Sequence, residues 1–118
     1  RPEPAARWLS WVRDRLHTGG APDLRELAAL AGVHRSHLAR SFSARYGVSV
    51  GEYHRRLRLA AAAQRLSRAT VPLARLARES GFSDQAHLTR WFTRVLGVTP
   101  GAYARGMRDQ RRALPAPP

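Results

Sequence analysis

The six residues His37-Leu38-Ala39-Arg40-Ser41-Phe42 return fifty positions later as His87-Leu88-Thr89-Arg90-Trp91-Phe92, and this repeat narrows the fold more than any other feature. The correspondence continues downstream, where Gly47-Val48-Ser49-Val50-Gly51-Glu52-Tyr53 is answered by Gly97-Val98-Thr99-Pro100-Gly101-Ala102-Tyr103. Upstream, Leu27-Ala28 is answered by Leu76-Ala77, with one extra residue in the second turn. A helix, a glycine-containing turn and a second helix therefore occur twice. Two helical hairpins sharing a packing plan would also produce this pattern without any ligand.

The segments around the repeat read as helices throughout. Alanine, leucine and arginine dominate, all strong helix formers, and alternating β-branched runs are missing. Trp8, Leu9, Val12 and Leu16 recur at helical spacing in a first helix from Pro4 to His17, ended by Gly19-Gly20. Asp23 caps a second helix that runs to Ala31 and closes at Gly32, and a third spans Arg35 to Tyr46. Val50 to Arg68 contains no helix breaker and forms one long helix joining the halves. Pro72 starts the next helix, which ends near Ser80-Gly81. Ser83 or Asp84 caps another running to Leu96, and Pro100 opens a last one. The expected class is all-α, with seven helices. They form a first helix-turn-helix subdomain over 5–49, a linker helix over 50–69 and a second subdomain over 72–112, followed by a disordered tail over 113–118.

A length of 118 residues with 43% hydrophobic content builds a core without covalent staples. Cysteine is absent, which excludes disulfides, thiolate metal sites and cysteine nucleophiles. No long apolar run suggests a membrane span, and no leader pattern suggests secretion. The formal charge of +13 repels itself in a compact chain unless a polyanion is often near, and nucleic acid is the foremost such partner. All 21 of the Lys+Arg residues are arginine, which supplies forked donors for phosphate and guanine edges, although a genome-wide composition bias explains the same choice.

Winding each repeated helix at its regular step sharpens this reading. Leu38, Phe42 and the stem of Arg45 share one side, with Ser36, Arg40 and Ser43 opposite. In the second copy Leu88, Phe92 and Val95 share a side, with Ala86, Arg90 and Thr93 opposite. Each copy thus sets one arginine in a surface of small or hydrogen-bonding residues. Such a surface suits a major groove, where guanine O6 and N7 accept a bidentate arginine.

The stretch from Ala77 to Phe92, Ala-Arg-Glu-Ser-Gly-Phe-Ser-Asp-Gln-Ala-His-Leu-Thr-Arg-Trp-Phe, together with Gly97 to Tyr103, resembles the signature region of the AraC/XylS family of bacterial transcription regulators. The resemblance covers the chain from about Trp8 to Arg105. It implies sequence-specific binding of a double-stranded DNA operator, with two recognition helices in successive major grooves. It implies base contacts from Arg35, Ser36, Ala39 and Arg40 in the first reader and from Gln85, Ala86, His87 and Arg90 in the second. Phosphate contacts are expected from Ser43, Arg55, Arg56, Ser83, Thr93 and the amide of Gly101. Arg58 matches a family arginine that either clamps the two lobes or touches phosphate. His34 stands where a serine or threonine often caps the first reader, so a shifted or looser helix start is expected there. The resemblance also implies a cytoplasmic, nucleoid-associated regulator, with RNA polymerase as a partner where it activates. Arg1-Pro2-Glu3-Pro4 reads as the end of a linker, so a sensor and dimerisation domain is expected to precede this chain.

Other chemistries are less well supported. His34 and His37 supply only two candidate metal ligands, so no metal or other cofactor is expected. No nucleophile elbow, phosphate-cradling glycine loop or paired carboxylates appear, and no enzyme is expected. Trp8, Trp11, Trp91, Phe42, Phe82, Phe92, Tyr53 and Tyr103 fit core packing better than single-strand stacking, with Trp11 the weakest fit. The alternative is a non-specific cationic binder of nucleic acid or of anionic membrane, but the arginines do not gather on one polar face.

Overall fold

A computed structural model describes residues 4–18 and 22–113, with side chains from residue 7 onward. Seven α-helices and no strand occur among the described residues. They are α1 (Pro4–Thr18), α2 (Leu24–Ala31), α3 (Arg35–Tyr46), α4 (Val50–Arg68), α5 (Leu73–Glu79), α6 (Gln85–Leu96) and α7 (Pro100–Ala113). The expected stop at Gly19-Gly20 and residues 114–118 of the expected tail lie outside the described residues, as do Arg1 to Glu3, while Ala113, expected as the first tail residue, is the last residue of α7.

The chain divides into two compact units, Arg1–Leu57 and Arg58–Pro118. The division falls inside α4, so the segment expected as a separate linker supplies residues to both units. In the first unit Leu9, Val12, Leu16, Leu27, Ala28, Leu38, Phe42 and Val50 form the core, with Tyr53 and Leu57 of α4 packed against it. In the second unit the core is Leu59, Ala62, Ala63, Leu66, Leu76, Ala77, Phe82, Leu88 and Phe92, with Tyr103 and Ala104 of α7 against it.

These two cores extend the repeat further upstream than the residue identities showed. Leu9, Val12 and Leu16 of α1 are buried at 6%, 0% and 4% exposure, and their counterparts fifty positions on are Leu59, Ala62 and Leu66 at 1%, 0% and 2%. The second half of α4 therefore does for α5 and α6 what α1 does for α2 and α3. Its first half does for the first unit what α7 does for the second. The ring contacts repeat as well: Phe42 meets Tyr53 edge-on at 5.5 Å and Phe92 meets Tyr103 edge-on at 5.6 Å. Aromatic pairs favour this geometry because the positive ring edge faces the negative ring face.

Two apolar assignments are corrected. Val95 does not join Leu88 and Phe92 in the core; it is 43% exposed and stands beside the exposed Leu96 and Val98. By winding it does share their side, seven residues past Leu88, but it lies in the last turn of α6, past the end of the buried stripe. Trp11 is 38% exposed, with the Arg15 guanidinium over its ring at 5.9 Å, because Leu9, Val12 and Leu16 already fill the inward face of α1.

Candidate nucleic-acid interface

The two candidate readers, α3 and α6, each have twelve residues and contain no aspartate or glutamate. Leu38 and Phe42 anchor α3 by full burial, and Leu88 and Phe92 anchor α6 in the same way. Burying those stripes leaves the opposite faces in solvent. Arg35, Ser36 and Arg40 are exposed on α3, and Gln85, Ala86 and Arg90 are exposed on α6, while Ala39 and His87 are half-buried. The readers end alike, with Gly47 N–H bonded to the Ser43 carbonyl and Gly97 N–H to the Thr93 carbonyl, each at 2.9 Å.

Their starts differ, and the inserted residue explains the difference. His34 is the N-cap of α3, its Nδ1 accepting from the Ser36 N–H at 3.1 Å. The expectation of a shifted start is therefore wrong: an imidazole lone pair serves here as a serine hydroxyl oxygen would. Asp84 caps α6, with Oδ1 accepting from the His87 N–H at 2.8 Å. The turn before it holds one residue more than the first turn, and that residue is Ser83. Its N–H donates to His87 Nδ1 at 3.2 Å and its Oγ lies 3.1 Å from the same nitrogen. An Nδ1 that accepts leaves the ring proton on Nε2.

Below His87 the turn is held firmly. His87 meets the buried Phe82 edge-on at 5.3 Å, and the Arg58 guanidinium lies over the Phe82 ring at 4.9 Å. Arg58 Nη1 also donates to the Gly81 carbonyl at 2.7 Å. Gly81 has φ +83, and a Cβ placed there would come within 2.8 Å of Arg58 Nη1. Glycine is thus required twice, by the left-handed backbone and by the closeness of the guanidinium. These contacts tie Arg58 to the α5–α6 turn inside the second unit, which is neither the expected clamp of the two lobes nor a phosphate contact. At the corresponding place in the first unit, Trp8 packs against His37 with ring centroids 5.7 Å apart.

The residues expected to touch phosphate differ in readiness. Ser43 is exposed on the outward side of α3. Arg55 is half-buried, and Arg56 is exposed but pairs with Glu52 at 3.1 Å. The Thr93 hydroxyl donates to the Thr89 carbonyl at 2.7 Å, so it must rotate to donate elsewhere. The Ser83 hydroxyl faces His87. Gly101 lies in the first turn of α7, where amides have no carbonyl one turn back to bond. Two caps were missed in the sequence. Ser49 Oγ accepts from Glu52 N–H and Thr99 Oγ1 from Ala102 N–H, each at 3.1 Å. The Ser49-x-x-Glu52 spacing is a capping-box signature and could have revealed the first of them.

Comparison with known proteins settles the family. A family model described as a helix-turn-helix domain matches residues 27–106. The multiple antibiotic resistance protein MarA of Escherichia coli is 33% identical, across 80% of this chain and 73% of its own length. The chain belongs to the AraC family of DNA-binding transcription regulators. Another AraC-type relative, a putative AraC-like transcription regulator of Streptomyces antibioticus, is 35% identical over 86% of this chain, which spans 37% of that relative's length. Among solved structures, the DNA-binding domain of AdpA in complex with a target DNA superposes with a TM-score of 0.73 at 26% identity, covering 96% of this chain and 100% of that one. The C-terminal domain of AraT, a response regulator from Geobacillus stearothermophilus, shares the AraC-type fold with a TM-score of 0.70 at 21% identity, covering 89% of this chain and 86% of that one. Among the described residues no helix is long and apolar enough to cross a membrane, and no group of three or more potential ligands could hold a metal ion.

Proposed function

We propose that this chain binds a double-stranded operator by inserting α3 and α6 into successive major grooves, and that it regulates transcription from there. The observation that carries the reading is the pair of equivalent, capped, acid-free helices, each presenting one exposed arginine, Arg40 or Arg90, at the centre of its outward face. A guanidinium so placed matches the O6 and N7 acceptors of guanine. Arg35, Ser36 and Ala39 surround Arg40, and Gln85, Ala86 and His87 surround Arg90, as the remaining base contacts. Because Ser83 holds His87 Nδ1, His87 offers a donor at Nε2 and suits an acceptor on the base edge. Ser43, Arg55, Arg56, Ser83, Thr93 and the Gly101 amide orient the protein on the backbone, which carries little sequence information. RNA polymerase and a preceding sensor and dimerisation domain belong to the same reading, as partners of the full-length regulator in the nucleoid.

Selection of bound duplexes from a random pool, followed by footprinting of the winners, tests this. The expected result is a preferred sequence protected over two contacted segments about one helical turn apart, near 34 Å. Arg40→Ala and Arg90→Ala are each expected to cost about 1–3 kcal/mol on that sequence and to relax preference at one base position. A single short footprint, or equal loss on every duplex, would overturn the two-reader account.

A further inference from the structure

The second unit contains a cleft that takes no part in the reading surface, apart from one wall at Gly101. It is lined by Leu66, Ala69, Thr70, Val71, Leu73, Gly101 and Ala104, with Arg105, Arg108 and Arg111 along one side, and encloses 190 Å³. The three arginines are spaced at i, i+3 and i+6 on α7, so they follow the helix for about 9 Å. Arg105 folds back toward Gly101, its Nη1 lying 3.4 Å from where a Cβ of that residue would be. Arg111 is pinned by donating to the Ser67 carbonyl at the end of α4. No acidic side chain lines the cleft, and none of the ion pairs among the described residues uses any of these arginines.

We infer that this cleft is a binding site for a small amphipathic anion, a carboxylate carried on a single ring or a short aliphatic chain. The floor of Leu66, Val71, Leu73 and Ala104 takes the apolar part, and the guanidiniums of α7 take the carboxylate in forked hydrogen bonds. The volume suits that class, since a cavity of about 150 Å³ already accepts benzene. A bare phosphate, free or in a nucleic-acid backbone, would satisfy the arginines but leave the apolar floor wet. The combination of a cationic side and an apolar floor therefore favours a ligand with both characters.

Titration of the isotopically labelled chain with phenylacetate, followed through its amide resonances, tests the site directly. The expected result is a saturating set of shifts confined to residues 66–73 and 101–111. Acetate and inorganic phosphate at the same concentrations should bind at least tenfold more weakly. Ala104→Leu fills the floor without changing charge, and Arg108→Ala removes a central donor; each should weaken phenylacetate at least tenfold while the unfolding midpoint stays near that of the parent. If bulk at position 104 disturbs packing, the arginine variant alone decides. Equal response to all three anions, shifts spread over arginines elsewhere, or unchanged affinity in Arg108→Ala would overturn the assignment.

Discussion

Gly81 shows how much a single residue can determine in this chain. Its φ of +83 disfavours any side chain by roughly 1–2 kcal/mol, and the 2.8 Å approach of Arg58 Nη1 adds the loss of the guanidinium bond to the Gly81 carbonyl. Gly97 shares the backbone strain, at φ +81, but a Cβ there meets nothing within 4 Å. Gly81→Ala is therefore expected to lower stability in urea by clearly more than Gly97→Ala, which should pay only the backbone cost. Arg58→Ala should narrow that gap by removing the clash. At this scale the sequence was only partly readable. Arg40 and Arg90 stand out because helical winding isolates each of them on a polar face. The tie between Ser83 and His87 did not stand out, since a hydrogen bond from an inserted backbone amide depends on the path of the turn.

The helices owe their boundaries to local chemistry, and most boundaries were legible for that reason. Gly32, Gly47, Gly97, Pro72 and Pro100 punctuate the chain at or next to the observed ends. The start of α3 at Arg35 was legible too, but the strength of its cap was underrated because imidazole is an unusual cap. His34→Ala and Asp84→Ala should each destabilise by about 1 kcal/mol, read from chemical denaturation, since each strips an acceptor from a helix start. Helix α5 is tied to α4 by Glu79, which accepts from Arg65 at 2.8 Å and Arg75 at 3.1 Å. Those two hydrogen bonds hold its carboxyl below the ordinary carboxylate range. Because the folded-state value is the lower one, the stabilisation is present above that range and vanishes as pH falls through the depressed value. The melting temperatures of the parent and of Glu79→Gln should therefore differ at neutral pH and converge in acid. A gap that persisted below the folded value would assign the effect to shape instead of charge.

For the whole molecule, two cores built to one plan make two strong predictions. Phe42→Ala and Phe92→Ala should each cost about 3–5 kcal/mol, because each ring is fully buried against an edge-on tyrosine. Operator affinity should fall steeply with salt, since each neutralised phosphate releases counterions. Replacing Arg56, proposed above as a phosphate contact, should lessen the logarithmic slope by about one while leaving sequence preference intact. The fifty-residue repeat was visible from Leu27 onward, where identities persist. Its upstream extension keeps only scattered identities, Leu9 with Leu59, Arg15 with Arg65 and Leu16 with Leu66, and is obscured where Val12 is answered by the smaller Ala62 and Trp8 by Arg58. The same register shows why duplication goes no further within the described residues. In α7 the positions answering Leu59 and Ala62 are Asp109 and Arg112, both exposed. At those two positions the helix carries charge where a further core would need hydrocarbon, so this side of α7 stays in solvent.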